Sequence, residues 1–256
     1  MITDSFDNKS RPLITAKDIY SEAPIDDNKV CLVTFSGSLF RYVKEHYELK
    51  EEFEYKTTGG PFWVYSFELN GKTIMLYQSI IGAAIAATLM YEIANISGCR
   101  KFVFFGSCGV LDEKKCRGKV IVPTEAYRDE GISYHYAEPS DYIPVRNYAR
   151  VSSFLKDNDI DYVEGRVWTT DAFYMETKNK VAKRKAEGAL AVEMETSGVE
   201  AVARYHDINN FHFIFPADSL DDVEWSRTDF GGDKELLLQI KSFSVASRFA
   251  LTLLEK

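Results

Sequence analysis

Short apolar runs, closed by turn residues and separated by segments of helical period, recur along this sequence, and that alternation admits few folds. Residues 30–35 (VCLVTF), 101–106 (KFVFFG), 120–122 (VIV), 162–169, 189–192 (ALAV) and 211–216 (FHFIFP) read as strands. The apolar continuity of runs such as 30–35 and 101–106 is that of strands covered on both faces. Residues 83–97, 146–156, 176–187, 195–206 and 233–255 read as helices; in the last, Leu236, Ile240, Phe243, Ala250 and Leu254 share one face. Gly98 is placed to stop the helix at 83–97. Residues 62–69 and 73–79 flank Asn70-Gly71, the turn pair of a tight β-hairpin, so antiparallel pairing joins the parallel kind. The expected fold is therefore α/β: a single domain over residues 1–256 with a central mixed β-sheet flanked by helices. Pro123 is read as ending the strand at 120–122, and 125–145 as a long connection available for function or subunit contact.

A chain of 256 residues with 45% hydrophobic content can bury one large core. Its 39 acidic against 31 basic side chains leave a net charge of −8, which opposes broad affinity for nucleic acid or an anionic membrane. An anionic substrate must then meet local arginines. The start, MITDSFDNKSRPL, lacks the basic-then-apolar order of a signal peptide, and no later run approaches the ~20 apolar residues of a membrane span, so a soluble cytoplasmic protein is expected. Cys31, Cys99, Cys108 and Cys116 form no C-x-x-C pair and read as reduced thiols; no metal site is expected.

Ligands of open α/β sheets gather at the carboxyl ends of strands, so the residues just past each strand carry the chemistry. Gly37-Ser38-Leu39-Phe40-Arg41 follows the first strand, where backbone N–H groups and a guanidinium could hold an oxyanion; an ordinary glycine turn beside an exposed arginine reads the same way. Gly106-Ser107-Cys108-Gly109 follows the central strand, and its small side chains would let a ligand reach the backbone while Ser107 donates a hydroxyl; the bland alternative is a tight strand-to-helix turn. Cys108 invites a nucleophile, yet His46, His135, His206 and His212 stand in no cysteine-enzyme pattern with it. In Val192-Glu193-Met194-Glu195, Glu195 could accept from the paired hydroxyls of a ribose with Met194 against the sugar, or a carboxylate could simply cap the next helix. Asp218, after the strand at 211–216, reads either as a cap or as a proton donor in an apolar pocket.

Taken in this order, the segments resemble the nucleoside phosphorylase family that includes the hexameric purine nucleoside phosphorylases and the uridine phosphorylases. AVEMETSG at 191–198 is the most specific match, to the V-E-M-E-[AS] ribose-binding signature; GSCG at 106–109, GSLFR at 37–41 and TTDAFY at 169–174 match further segments at compatible spacing. The resemblance implies phosphate held by Gly37, Arg41 and Ser107, and ribose by Met194 and Glu195. It places the base against Cys108, Gly109, Phe173 and Val192, and makes Asp218 the acid that protonates the departing base. It implies no cofactor beyond inorganic phosphate as co-substrate, and a homo-oligomer, dimer or trimer of dimers. There Arg11 aligns with a histidine lent to the neighbouring subunit's sugar site.

Three departures bear on the reaction. Phe104 stands where the family has its second phosphate arginine, and Ser38 where aspartate is usual, which brings in a nucleosidase using water. Thr177 and Asn179 replace the Gln and Arg of uridine phosphorylases, which favours purines, whereas RDEGISYHY at 128–136 is similar to the uridine-type loop. A nucleoside sensor without turnover would keep Phe173 and Glu195 but not require Asp218.

Overall fold

The apolar runs become strands whose side chains alternate between two covered faces. The computed structural model describes residues 1–57, 60–221 and 233–255. Its strands are β1 (Cys31–Thr34), β2 (Lys50–Thr57), β3 (Gly60–Leu69), β4 (Lys72–Gln78), β5 (Lys101–Val110), β6 (Val120–Asp129), β7 (Tyr142–Pro144), β8 (Tyr162–Thr170), β9 (Ala189–Glu193) and β10 (Asn209–Ser219). The helices are α1 (Ala16–Ile19), α2 (Gly37–His46), α3 (Ala83–Ser97), α4 (Glu113–Cys116), α5 (Ser133–Tyr136), α6 (Tyr148–Asp157), α7 (Lys178–Ala186), α8 (Thr196–Tyr205) and α9 (Asp233–Leu254). Cys31 and Val33 of β1, with Phe102 and Phe104 of β5, pack toward α3 and α8. Leu32, Val103 and Phe105 point the other way, toward α2, α6 and α9. The period of two explains the unbroken apolar runs: both faces are dry.

The sheet is mixed, as expected, with order β10-β6-β8-β9-β5-β1-β4-β3-β2. It also closes on itself, because β10 pairs with β5 as well as β6. The five strands β5, β10, β6, β8 and β9 thus form a ring, and β5 belongs both to the ring and to the β1-β4-β3-β2 extension. An open sheet does not describe this fold. The Asn70-Gly71 hairpin forms as expected, with both residues at positive φ (52° and 71°), and α3 stops at Gly98.

Several local expectations are corrected. Gly106–Gly109 is not a turn: β5 runs on to Val110 because β10 lies parallel beside it for its whole length, and a turn would orphan those ladder groups. The small residues are needed there for a different reason, since a Cβ on Gly109 would stand 2.4 Å from Leu220 Cδ1 and 3.1 Å from Val192 Cγ1. Gly37 and Arg41 lie not in a loop but in the first turns of α2, where Ser36 caps the helix by accepting from the Leu39 N–H at 3.1 Å. Pro123 stays inside β6, beside a register shift between Pro123 and Glu125 that accommodates its missing N–H. Asp218 sits within β10, at the register shift between Pro216 and Asp218, rather than beyond it.

The segment 125–145 is no plain connection; it completes β6 and forms α5 and β7. Buried Arg128 gathers it, donating to Ser133 Oγ (2.8 Å) and the Glu138 carbonyl (2.6 Å) with its guanidinium 4.1 Å from the Tyr134 ring centroid. The sequence reading passes over β2, whose charged and aromatic residues hide an edge strand paired with β3. In α9, Lys234–Leu254 is long and apolar enough to cross a membrane by length and composition (mean hydropathy 1.2), contrary to the expectation that no such run exists. Phe243, Ala246, Phe249, Ala250 and Leu253 are nonetheless buried in the core shared with β5 and β10.

Candidate active site

The carboxyl ends of β1, β5, β9 and β10 converge on a cavity of about 260 Å³. Ser107, Cys108, Gly109, Phe173, Val192, Met194, Glu195 and Asp218 line it, although they come from four separate stretches of sequence. Gly37 and Arg41 are exposed on α2, outside this lining. Arg11 lines a different depression with Tyr91 and His206, and does not reach the cavity of its own chain. Sequence reasoning missed Phe35, Ile81, Glu176, Glu193 and Leu220, which also line the cavity. The signal for three of them was present: Phe35, Ile81 and Leu220 lie one to three residues past the ends of β1, β4 and β10.

At one end of the cavity Glu193 and Glu195 divide the roles that the sequence left open. Glu193 is buried and does the capping of α8: its carboxylate accepts from the N–H groups of Glu195 and Thr196, both at 2.8 Å, and from Thr169 Oγ1. Glu195 makes no capping bond. Its Oε1 instead accepts from the Gly82 N–H (2.7 Å), at the start of α3, and an ionised carboxylate has further lone pairs for a ligand in the cavity. Burial raises both carboxyls above the ordinary range, and the charge of Glu193 raises Glu195 further.

Asp218 and Glu176 mark the other end. Asp218 is paired in register with Gly109, and a Cβ on that glycine would lie 3.5 Å from Asp218 Oδ1. Glu176 follows the single 3-10 turn Phe173–Met175; burial first and the Asp218 charge second push its carboxyl up to about 7, with Lys180 acting in the opposite direction. Between the two ends, buried Cys108 donates its thiol to the Phe215 carbonyl (3.4 Å). Burial, then the charges of Cys116, Asp218 and Glu193, drive that thiol well up, so it stays protonated and is no nucleophile.

The cavity has an acidic rather than a cationic lining. Four carboxyls face it, and no lysine or arginine does among the described residues. Phe104, at the position of the family arginine, is fully buried beside Phe35 (ring centroids 6.2 Å apart) and neutral His212 (5.8 Å), whose burial holds it near a pKa of about 3. The Phe35 ring lies close enough to Gly106 that a Cβ there would meet its Cδ2 at 3.2 Å. Among the described residues no group of three or more His, Cys, Asp or Glu side chains is arranged to hold a metal ion.

Residues 29–239 match the family model described as the phosphorylase superfamily. A guanosine phosphorylase of Halorubrum lacusprofundi is 31% identical over 138 residues, which are 53% of this chain and 56% of that protein. A DeoD-type purine nucleoside phosphorylase of Aliivibrio fischeri is 26% identical over 145 residues (56% of this chain, 61% of the relative). A DeoD-type 1 enzyme of Shewanella oneidensis is 28% identical over 138 residues (53% and 58%). The matched stretch therefore spans less than two thirds of each of these relatives.

The raised carboxyls set a direction for stability. A folded-state Glu195 that titrates above its unfolded value holds a proton the unfolded chain has released, so its burial costs stability progressively as pH rises above the ordinary glutamate range. Glu195→Gln keeps the acceptor for Gly82 without that titration. Unfolding by urea should show the variant gaining on the wild type between about pH 5 and about pH 8. A stability difference that does not change with pH would mean that the folded state ionises Glu195 freely.

Proposed function

This chain belongs to the phosphorylase superfamily, and on that premise we propose that it cleaves the N-glycosidic bond of a purine nucleoside with phosphate, releasing free base and (deoxy)ribose 1-phosphate. The observation that carries this reading is the division of labour at α8: with Glu193 capping the helix, Glu195 is left facing the cavity beside Met194. Glu195 accepts from the sugar hydroxyls, Met194 packs on the sugar, and Phe173, Val192, Cys108 and Gly109 enclose the base. Of the residues that the resemblance assigns to phosphate, Ser107 lines the cavity, whereas Gly37 and Arg41 stand on α2 outside its lining. As the C–N bond breaks, its electron pair leaves with the base, Asp218 delivers a proton to it, and a phosphate oxygen bonds to the sugar carbon. The oxocarbenium-like sugar is stabilised meanwhile by the nearby anions. The names of the relatives, guanosine and purine nucleoside phosphorylases, support a purine over a pyrimidine.

A second reading, hydrolysis, is favoured by one observation: Phe104 and Phe35 occupy the neighbourhood where an arginine would face a phosphate dianion. Product analysis with and without phosphate separates the two. Phosphorolysis requires phosphate and yields the sugar 1-phosphate; free sugar at the same rate without phosphate would replace it with hydrolysis.

Asp218→Asn cannot supply the proton. Turnover on the best purine nucleoside should fall about 100-fold or more while the circular dichroism spectrum is unchanged. Wild-type turnover in that variant would remove Asp218 from the chemistry.

We also infer a homo-oligomer. Ile80, Ile81, Phe173, Tyr174 (95% exposed) and Met175 form an apolar rim, two of whose members line the cavity, and Arg11, outside its own cavity, is free to serve a neighbour's. Sedimentation at assay concentration should find an assembly, and an active monomer would exclude the borrowed arginine.

A further inference from the structure

Glu176 has the surroundings of a recognition group rather than of a structural one. Its backbone is held on both sides: its N–H lies 3.4 Å from the Phe173 carbonyl, and the next residue, Thr177, caps α7 through its side chain. The segment that presents the Phe173 ring to the cavity therefore presents the Glu176 carboxyl as well. That carboxyl accepts no hydrogen bond from a described residue. Lys180, the cation whose charge acts on it, is already engaged with Asp129 at 3.2 Å. The group is half-buried, at the cavity wall, with its acceptor capacity unspent.

Its position along the cavity identifies which part of a ligand it would meet. Glu195 is held at the Gly82 N–H beside the start of α3, whereas Asp218, Val192 and Leu220 gather around the Gly109 backbone and Glu176 closes the turn that carries Phe173, with the Asp218 charge acting on it. Cys108, between the two ends, is acted on by both Asp218 and Glu193, and its thiol is already committed to the Phe215 carbonyl. The rest of the wall at the Asp218 end is apolar, from Phe173, Val192 and Leu220. A base bound there meets two polar side chains, one of which is assigned to proton delivery. The other is a carboxylate, which when ionised accepts and cannot donate.

Resting on the purine nucleoside reading above, we propose that Glu176 selects the base: its carboxylate accepts a hydrogen bond from the N1–H that 6-oxopurines carry, guanine adding its 2-amino group. Adenine turns an N1 lone pair to the same oxygen and is disfavoured by repulsion between acceptors. A neutral amide at this position would remove the charge that strengthens the bond and admit either orientation. Aspartate would withdraw the carboxyl by one methylene.

The test compares inosine, 1-methylinosine and adenosine on the wild type, Glu176→Gln and Glu176→Ala, with kcat/KM as the readout. 1-Methylinosine keeps the 6-oxo group and lacks the N1 proton. The wild type should favour inosine over both others by about 10-fold to 100-fold, the range for a hydrogen bond to a charged group. In both variants inosine should fall by about that factor, with 1-methylinosine and adenosine changing less than about threefold, so that the preference disappears. Equal losses on all three substrates, or no loss on inosine, would overturn the assignment of Glu176 and leave nucleoside cleavage standing. A wild type that cleaves none of the three would overturn the cleavage reading, and this assignment with it.

Discussion

The parallel ladder between β5 and β10 is the constraint on which the rest of the site depends. Ten residues of β5, Lys101–Val110, run beside Asn209–Ser219, and that pairing turns the sheet into a ring. It also sets Asp218 opposite Gly109, so a carboxyl from one end of the chain lies against bare backbone from its middle. Without the ladder, Gly106–Gly109 would have been free to turn, and the two acidic poles would have no common wall between them.

Those poles give the cavity an unusual electrostatic character. Four carboxyls border a small volume whose other walls are mainly aromatic and aliphatic, and the charges of Asp171, Glu193 and Asp218 act on their neighbours. Burial alone disfavours ionisation, and each additional charge makes the next one costlier. A ligand rich in hydrogen-bond donors relieves this, since sugar hydroxyls and ring N–H groups give an ionised carboxylate what water no longer supplies. The protein therefore stores at the site a demand that a suitable ligand meets.

Much of the fold could be read from the chain because its determinants are local. The runs at Cys31–Thr34 and Lys101–Phe105 are strands on apolarity alone, Asn70-Gly71 makes the only turn its conformations favour, and Gly98 ends a helix by accepting positive φ. What escaped depends on distant partners. Pro123 breaks no strand because a register shift absorbs it, and β2 forms from charged residues because β3 pairs with it. The same division holds in the cavity. Ser107, Val192, Met194, Glu195 and Asp218 were visible through strand ends and a family signature, whereas Glu176 and Glu193 became distinct only when hydrogen bonds and neighbouring charges could be assigned.

The outermost strand, β2, bears on how copies of this chain can meet. It pairs with β3 along one side only, and its sequence, Lys50-Glu51-Glu52-Phe53-Glu54-Tyr55-Lys56-Thr57, carries three acids within its first five residues. Five of those eight residues are charged, and charged side chains along an edge strand oppose its pairing with the edge of another copy. Continued strand addition at this edge, a route to open-ended fibres, is thus penalised.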